Sequence, residues 1–483
     1  MKVLFVSAEA APFAKVGGLA DVAGALPKAL RAMGHDARLI MPDYRMIEDD
    51  PRWSIHSAIE RFDVEMNPHW TQPASFREME FEGMPVGLIG TDRWFTESVS
   101  SETLYQPGGM QHLFFCAAVM RAMELLDWIP DVVHLNDWHT GFFPVLMREK
   151  AGKVWDDVAS VFTIHNLAYQ GDFGTDVLDA LDLPHRLFNP EGVEAWGRVN
   201  FLKAGCVYAD RVNTVSENYA HEIQTPEFGV RLDGLMRRLS DEHRLSGILN
   251  GIDTGVFNPE TDPALPFHFS ASSPADKSQV RESLLGELGL PSNPDVPVFG
   301  VVSRLSSQKG LDMIVEAAET LFALPIQLII QGLGEPPIAE ALRSLERRFP
   351  ENFRFIERFD APLAQRVYGG CDGFLMPSAF EPCGLGQMIA MRYGTVPVVR
   401  RTGGLADTVF EGVNGFTFDR QEPMAFVAAV TRAVDAFKSG QTWKRIQHEG
   451  MIGDYGWSRS AARYAHLYEA ACADRVVGEV LIA

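Results

Sequence analysis

The chain has little cysteine. Its five thiols, Cys116, Cys206, Cys371, Cys383 and Cys472, are odd in number, scattered through 483 residues and never paired as CxxC. That excludes a disulfide framework, supplies no zinc-type ligand spacing and points to a reducing, cytoplasmic setting. Long apolar runs are also missing. None approaches the ~18 residues of a membrane span, and Glu9 interrupts the short N-terminal run before a signal core can form. Basic residues are in deficit, 43 Lys and Arg against 64 Asp and Glu, for a formal charge of −21. Such a field argues against nonspecific binding to nucleic acid or to an anionic membrane. A phosphate ligand would have to be met by cations placed locally. No Asp-x-Asp pair offers a metal between motifs, and no metal or other cofactor is expected.

What remains is an ordinary globular composition, 46% hydrophobic and 22% charged, in a chain long enough for two domains with large cores. Strand and helix patterns alternate almost throughout. Val3–Val6, Ala37–Met41, Asp131–Leu135, Ser160–Ile164 and Arg211–Val215 read as buried parallel strands, the last of them closing a first domain. Met66 to Met110 is less regular and reads as a long loop or flap. Asn250 to Asp253 forms a turn, and proline-rich Pro259–Lys277 reads as a hinge and extended connection. The pattern then restarts, with strands at Val298–Val302, Gln327–Ile330, Phe353–Ile356, Gly373–Met376 and Val396–Val399. Ser458–Ala471 reads as a terminal helix. The expected class is α/β, with two doubly wound domains: 1–249, 250–456, and a tail 457–483 crossing back to the first.

The most informative stretch is KVGGLADV, Lys15–Val22, between the first strand and the first helix. Gly17 and Gly18 let backbone approach a ligand with free N–H groups at a helix start, and Lys15 adds a cation. GGLAD recurs at Gly403–Asp407, again before a helix. Polar clusters end two strands of the first half: His134, Asn136, Asp137, Trp138 and His139 on one, His165 and Asn166 on the other. Ligands of open α/β sheets sit at such carboxyl ends. In the second half Arg304 and Lys309 share a strand–helix connection, where two cations suit a diphosphate leaving group. Glu381 either pairs with a helix dipole or accepts sugar hydroxyls. Cys383 reads as a small buried residue rather than a nucleophile.

KVGGLADV, HLNDWHTG, FTIHNLAYQG, NGID, VSRLSSQKG, FEPCGLGQ and RTGGLADTV occur in this order. Together they resemble the bacterial glycogen synthase and plant starch synthase family, glycosyltransferase family 5, from Lys15 to about Val409. The resemblance implies a GT-B fold, two Rossmann-like domains with the active site in the cleft between them. It implies transfer of glucose from ADP-glucose to the non-reducing end of an α-1,4-glucan such as glycogen, with retention. By matching position it implies roles for Lys15, Gly17 and Gly18 at the phosphate and sugar, and for His165 beside the anomeric carbon. Asp137 and Trp138 fall on the acceptor side, and Arg304 and Lys309 at the diphosphate. Glu381, Cys383, Gly384 and Leu385 match the sugar-binding EPCGL, and Thr402, Gly403 and Gly404 the second glycine turn. Phe359 falls where some members stack a tyrosine on adenine.

The chain departs from the pattern at Met110–Phe115, MQHLFF in place of Asp-Asn-x-x-Arg-Phe, at Ala379 in place of arginine and at Gly386 in place of threonine. Retention with no evident carboxylate nucleophile favours a front-face displacement over a double displacement. Two other readings stay open on sequence: a glucan-binding protein that has lost transfer, and a different GT-B enzyme such as a sucrose-type UDP-sugar transferase or a phosphorylase.

Overall fold

A computed structural model describes residues 1–105 and 107–482. It divides the chain into two units, Met1–Val215 with Ala220–Asn250 and Trp457–Ala483, and Ser216–Tyr219 with Gly251–Gly456.

The first unit is built on a nine-stranded sheet. Apolar Lys2–Val6 lies in the middle, hydrogen-bonded in parallel to Asp36–Pro42 on one side and to Val132–Asn136 on the other. Chain order therefore reverses at Lys2–Val6, and the carboxyl ends of these strands form a topological switch point. Ala159–Ile164, Arg211–Thr214 and Leu245–Gly247 extend the sheet beyond Val132–Asn136. Arg211–Val215 is thus not the last strand. Leu245–Gly247 is too short for any period to show in sequence.

The expected loop from Met66 to Met110 is also corrected. It contains Trp70–Phe81 and Met84–Gly90, and an antiparallel ribbon pairs Trp70–Phe81 with His56–Asn67. Register shifts after Ser57, Ile59 and Glu65 break the two-residue alternation that sequence reading depends on. Beyond Gly90 the described residues of this stretch hold only the short 3-10 turn Ser101–Thr103.

The terminal helix, Trp457–Ile482, belongs to the first unit. Tyr464 and Tyr468 are fully buried there. The Tyr468 hydroxyl meets His134 Nδ1 at 2.7 Å, and Asn213 Nδ2 donates to the Tyr464 hydroxyl at 3.1 Å. His134, read from sequence as part of the polar strand-end cluster, instead holds this helix.

The second unit carries a six-stranded parallel sheet. Val298–Val302 lies between Gln327–Gln331 and Gly373–Met376, which makes a second switch point. Pro259–Lys277 is not a free connection. Leu265 and Phe269 are buried, the Tyr393 hydroxyl donates to Asp262 Oδ2 at 2.5 Å, and Lys277 Nζ donates to the Gly369 carbonyl at 2.7 Å. Its prolines suit irregular backbone, yet its apolar side chains still have a core to cover. Among the described residues, no helix is long and apolar enough to cross a membrane.

Candidate active site

At the first switch point the chain leaves Lys2–Val6 and runs to the helix Gly18–Ala32. Glu9, only 4% exposed, turns its carboxylate under the glycine turn. Its Oε2 accepts the N–H groups of Val16 and Gly17, the latter at 3.1 Å. Burial raises the Glu9 pKa, and the two backbone donors pull it back. The turn is therefore not the fully free N–H cradle that sequence suggests, since Gly17 has a partner inside the protein. Lys15 is exposed and its Nζ sits 2.6 Å from Asp21 Oδ1. A Cβ on Gly18 would meet nothing within 4 Å, so the space beside that glycine is open.

At the carboxyl end of Val132–Asn136, Asp137 adopts φ 55° and ψ 179°, a conformation that costs a non-glycine residue about 1–3 kcal/mol. The twist turns its buried Oδ1 onto the His165 N–H at 2.7 Å, which ties two strand ends together. Burial raises the Asp137 carboxyl to about 7, ahead of the opposing backbone hydrogen bonds. Asn136 Nδ2 donates to the Val6 carbonyl at 3.0 Å, so its Oδ1 faces His165 Nε2 at 2.9 Å. That fixes the His165 proton on Nε2 and leaves Nδ1 a lone-pair acceptor. Burial lowers His165 to about 3, and the ring is neutral at physiological pH. Trp138 is half-buried among rings, 4.7 Å from His112 and 5.8 Å from Phe173 between centroids.

At the second switch point Arg304 follows Val298–Val302, exposed and without an ion-pair partner among the described residues. Lys309 Nζ lies 2.9 and 2.7 Å from the two oxygens of Glu381, which is buried. The Ser378 hydroxyl donates to Glu381 Oε2 at 3.1 Å. The loop carrying Glu381, Cys383, Gly384 and Leu385 rests on the turn Thr402, Gly403 and Gly404. Gly403 has φ +44°, and a Cβ there would collide with the Glu381 carbonyl oxygen. The Gly404 N–H donates to the carbonyls of Glu381 and Pro382 at 3.1 and 3.2 Å. In this second GGLAD copy the Gly404 N–H is therefore spent on the protein's own backbone. Cys383 is buried and belongs to no disulfide. Phe359 is 76% exposed.

Sequence reading missed Glu9 as a site residue, and with it Ser378. Their signals were slight: one acid inside an apolar N-terminal run, and one serine two residues past a strand.

Residues 2–238 match the starch synthase catalytic domain model, and residues 289–446 match glycosyl transferases group 1. A glycogen synthase of Moorella thermoacetica is 41% identical over 489 residues, covering 98% of each chain. The chain belongs to the glycogen and starch synthase family. It is a glycosyltransferase with the GT-B fold. A solved relative, the catalytic domain of starch synthase IV from Arabidopsis thaliana bound to ADP and acarbose, superposes with TM-score 0.91 at 32% identity. It covers 98% of this chain and 99% of its own. Sucrose-phosphate synthase from Thermosynechococcus elongatus, at TM-score 0.61 and 18% identity, covers 98% of this chain and 99% of its own and shares the fold alone.

Proposed function

We propose that the enzyme transfers glucose from ADP-glucose to the non-reducing end of an α-1,4-glucan, with retention, as a cytoplasmic enzyme needing no metal or other cofactor. The observation that carries this reading is the likeness to glycogen synthases over 98% of the chain. The ADP in the solved starch synthase relative supports the choice of nucleotide.

In this reading Arg304 and Lys309 neutralise the diphosphate, and the Gly17–Gly18 turn with Lys15 approaches the same group. Glu381 holds Lys309 and accepts from sugar hydroxyls. Leu385, Cys383 and Gly384 shape the sugar pocket, and Phe359 stacks on adenine. The bond from C1 to the phosphate oxygen breaks on the face where the acceptor 4-hydroxyl attacks. That hydroxyl's proton passes to the departing phosphate oxygen, a new C1–O4 bond forms, and ADP leaves. Entry and departure on one face retain the configuration. A neutral His165 suits this chemistry: its dipole can face the developing oxocarbenium, whereas an imidazolium would repel it. Asp137 fixes the His165 backbone, and Trp138 flanks the acceptor.

The test is radiolabel transfer from ADP-glucose and from UDP-glucose into glycogen. Incorporation from ADP-glucose with the higher kcat/KM is expected. Equal or better use of UDP-glucose would overturn the donor assignment.

A further inference from the structure

One cavity of the first unit has no use in this mechanism. It measures about 420 Å³ and is walled by the hairpin of Glu194–Ala195 and Arg198–Asn200, the helix Phe201–Tyr208 and the start of the helix Asp233–Asp241. Three cations line it, Lys203, Arg231 and Arg238, against one acid, Glu194. The chain as a whole carries −21, so this local excess runs against its field.

The cations lack counter-ions. Lys203 is 7% exposed, and its Nζ donates to the carbonyls of Pro190 and Glu194, which leaves one N–H over. No carboxylate forms an ion pair with it among the described residues, although a buried charge without a partner is costly. Glu194 Oε1 instead accepts the Gly197 N–H at 2.6 Å. Arg231 also has no ion-pair partner among the described residues, and its guanidinium rests 4.0 Å over the Trp196 ring. Arg238 meets Glu242 only at 3.8 Å. The N–H groups of Gly234 and Leu235, in the first helical turn, have no hydrogen-bond partner among the described residues either. Asp233 beside them is held by Arg237 at 2.9 Å. Backbone strain marks the same wall. Trp196, Val230 and Arg231 have φ of 55°, 43° and 67°, a region that favours glycine, and such strain concentrates where a ligand is held.

We propose that this cavity binds a small phosphate monoester, at a site apart from the transfer site. Donors line it from three segments: an ammonium on one helix, a guanidinium on the preceding loop, and a guanidinium with two N–H groups on a second helix. A tetrahedral phosphate has terminal oxygens for all three, whereas a planar carboxylate has two oxygens. An uncapped helix start adds a favourable field for an anion. Ala195, Leu232 and Leu235 supply an apolar wall for an organic body, and the volume is that of a pocket for a small metabolite rather than for a bare ion. None of these residues is a donor or acceptor candidate, so the inference stands without the transfer reading.

The experiment is calorimetric titration of the full chain at physiological ionic strength with ribose 5-phosphate, inorganic phosphate and succinate. One equivalent of ribose 5-phosphate should bind, more tightly than inorganic phosphate, and succinate should not compete. Arg231→Gly and Arg238→Ala should each weaken it by about 10-fold or more, the scale of one hydrogen bond to a charged group. Glycine suits the backbone at residue 231, so the Tm of Arg231→Gly should hold or rise and its rate of glucose transfer should be unchanged. Arg304→Ala, on the donor side, should keep full ribose 5-phosphate binding. No binding, or binding that both cavity variants retain, would overturn the site. Binding lost in Arg304→Ala and kept in Arg231→Gly would assign the phosphate to the donor site instead. Equal binding of succinate would overturn the phosphate assignment, and equal binding of inorganic phosphate would mean an adventitious ion only.

Discussion

The carboxylate of Glu9 accepts the backbone N–H of Gly17 at 3.1 Å. A buried acid thereby shapes the turn from beneath and leaves the outer side of Gly18 open. The second glycine turn is built in the opposite way, with Gly403 and Gly404 pressed against the backbone of residues 381–383.

The two turns should respond differently to alanine. Gly403→Ala meets the Glu381 carbonyl and a positive φ, and should destabilise by more than 2 kcal/mol, as forced overpacking typically does at ~1–3 kcal/mol before backbone strain is added. Gly18→Ala meets nothing and should fold with an unchanged or slightly raised Tm. Its kcat/KM for ADP-glucose should nonetheless fall, because ligand, not protein, needs the space. A fully active Gly18→Ala enzyme would remove that turn from the donor site. Thermal denaturation beside initial rates decides both.

Arg304 and Lys309 should separate in stability while agreeing in activity. Each replaced by Ala should lower kcat by ~10²–10³, the scale of one transition-state electrostatic contact. Arg304 is exposed, so Arg304→Ala should leave Tm unchanged. Lys309→Ala strips the ammonium from buried Glu381, leaving it the Ser378 hydroxyl, and should cost about 1–3 kcal/mol. Restoration of Tm in Lys309→Ala/Glu381→Gln would confirm the cause. Equal Tm values for the two single variants would contradict it.

Asp137 gives a pH signature. Its carboxyl is raised from 3.8 to about 7 in the folded chain. Between those values the folded state keeps a proton that the unfolded state has lost, so this group's contribution to stability falls as pH rises and levels off above about 7. Asp137→Asn keeps an oxygen for the His165 N–H and lacks the titration. The Tm of the variant relative to the native chain should therefore rise from pH 4 to pH 7 and then stay constant. A pH-independent difference would show that Asp137 is ionised throughout.

Phe359 should matter to binding alone. It is exposed and supports no core, so Phe359→Ala should keep its Tm. Loss of a stacking face worth ~1–3 kcal/mol should raise the KM for ADP-glucose with little change in kcat. Phe359→Tyr should restore it. An unchanged KM would place adenine elsewhere.

Much was legible in the sequence. Buried parallel strands such as Lys2–Val6 and Val298–Val302 are continuous apolar runs, and each short polar motif after such a strand marks a loop at a carboxyl end. Those signals lie within ten residues, so the order of the chain alone determined the α/β class, the family motifs and the candidate residues. It did not determine which candidates meet each other. Residues 72 apart in the chain, Lys309 and Glu381, pair only because Val298–Val302 and Gly373–Met376 are neighbours in one sheet. His134 looked like its neighbours Asn136 and Asp137, and only the docking of Tyr468 assigned it to the terminal helix. The two GGLAD copies are identical as letters. One carries an acid beneath it and open space above, and the other is filled by its own protein. Burial and backbone contact between distant segments make that difference, and neither is written in local sequence.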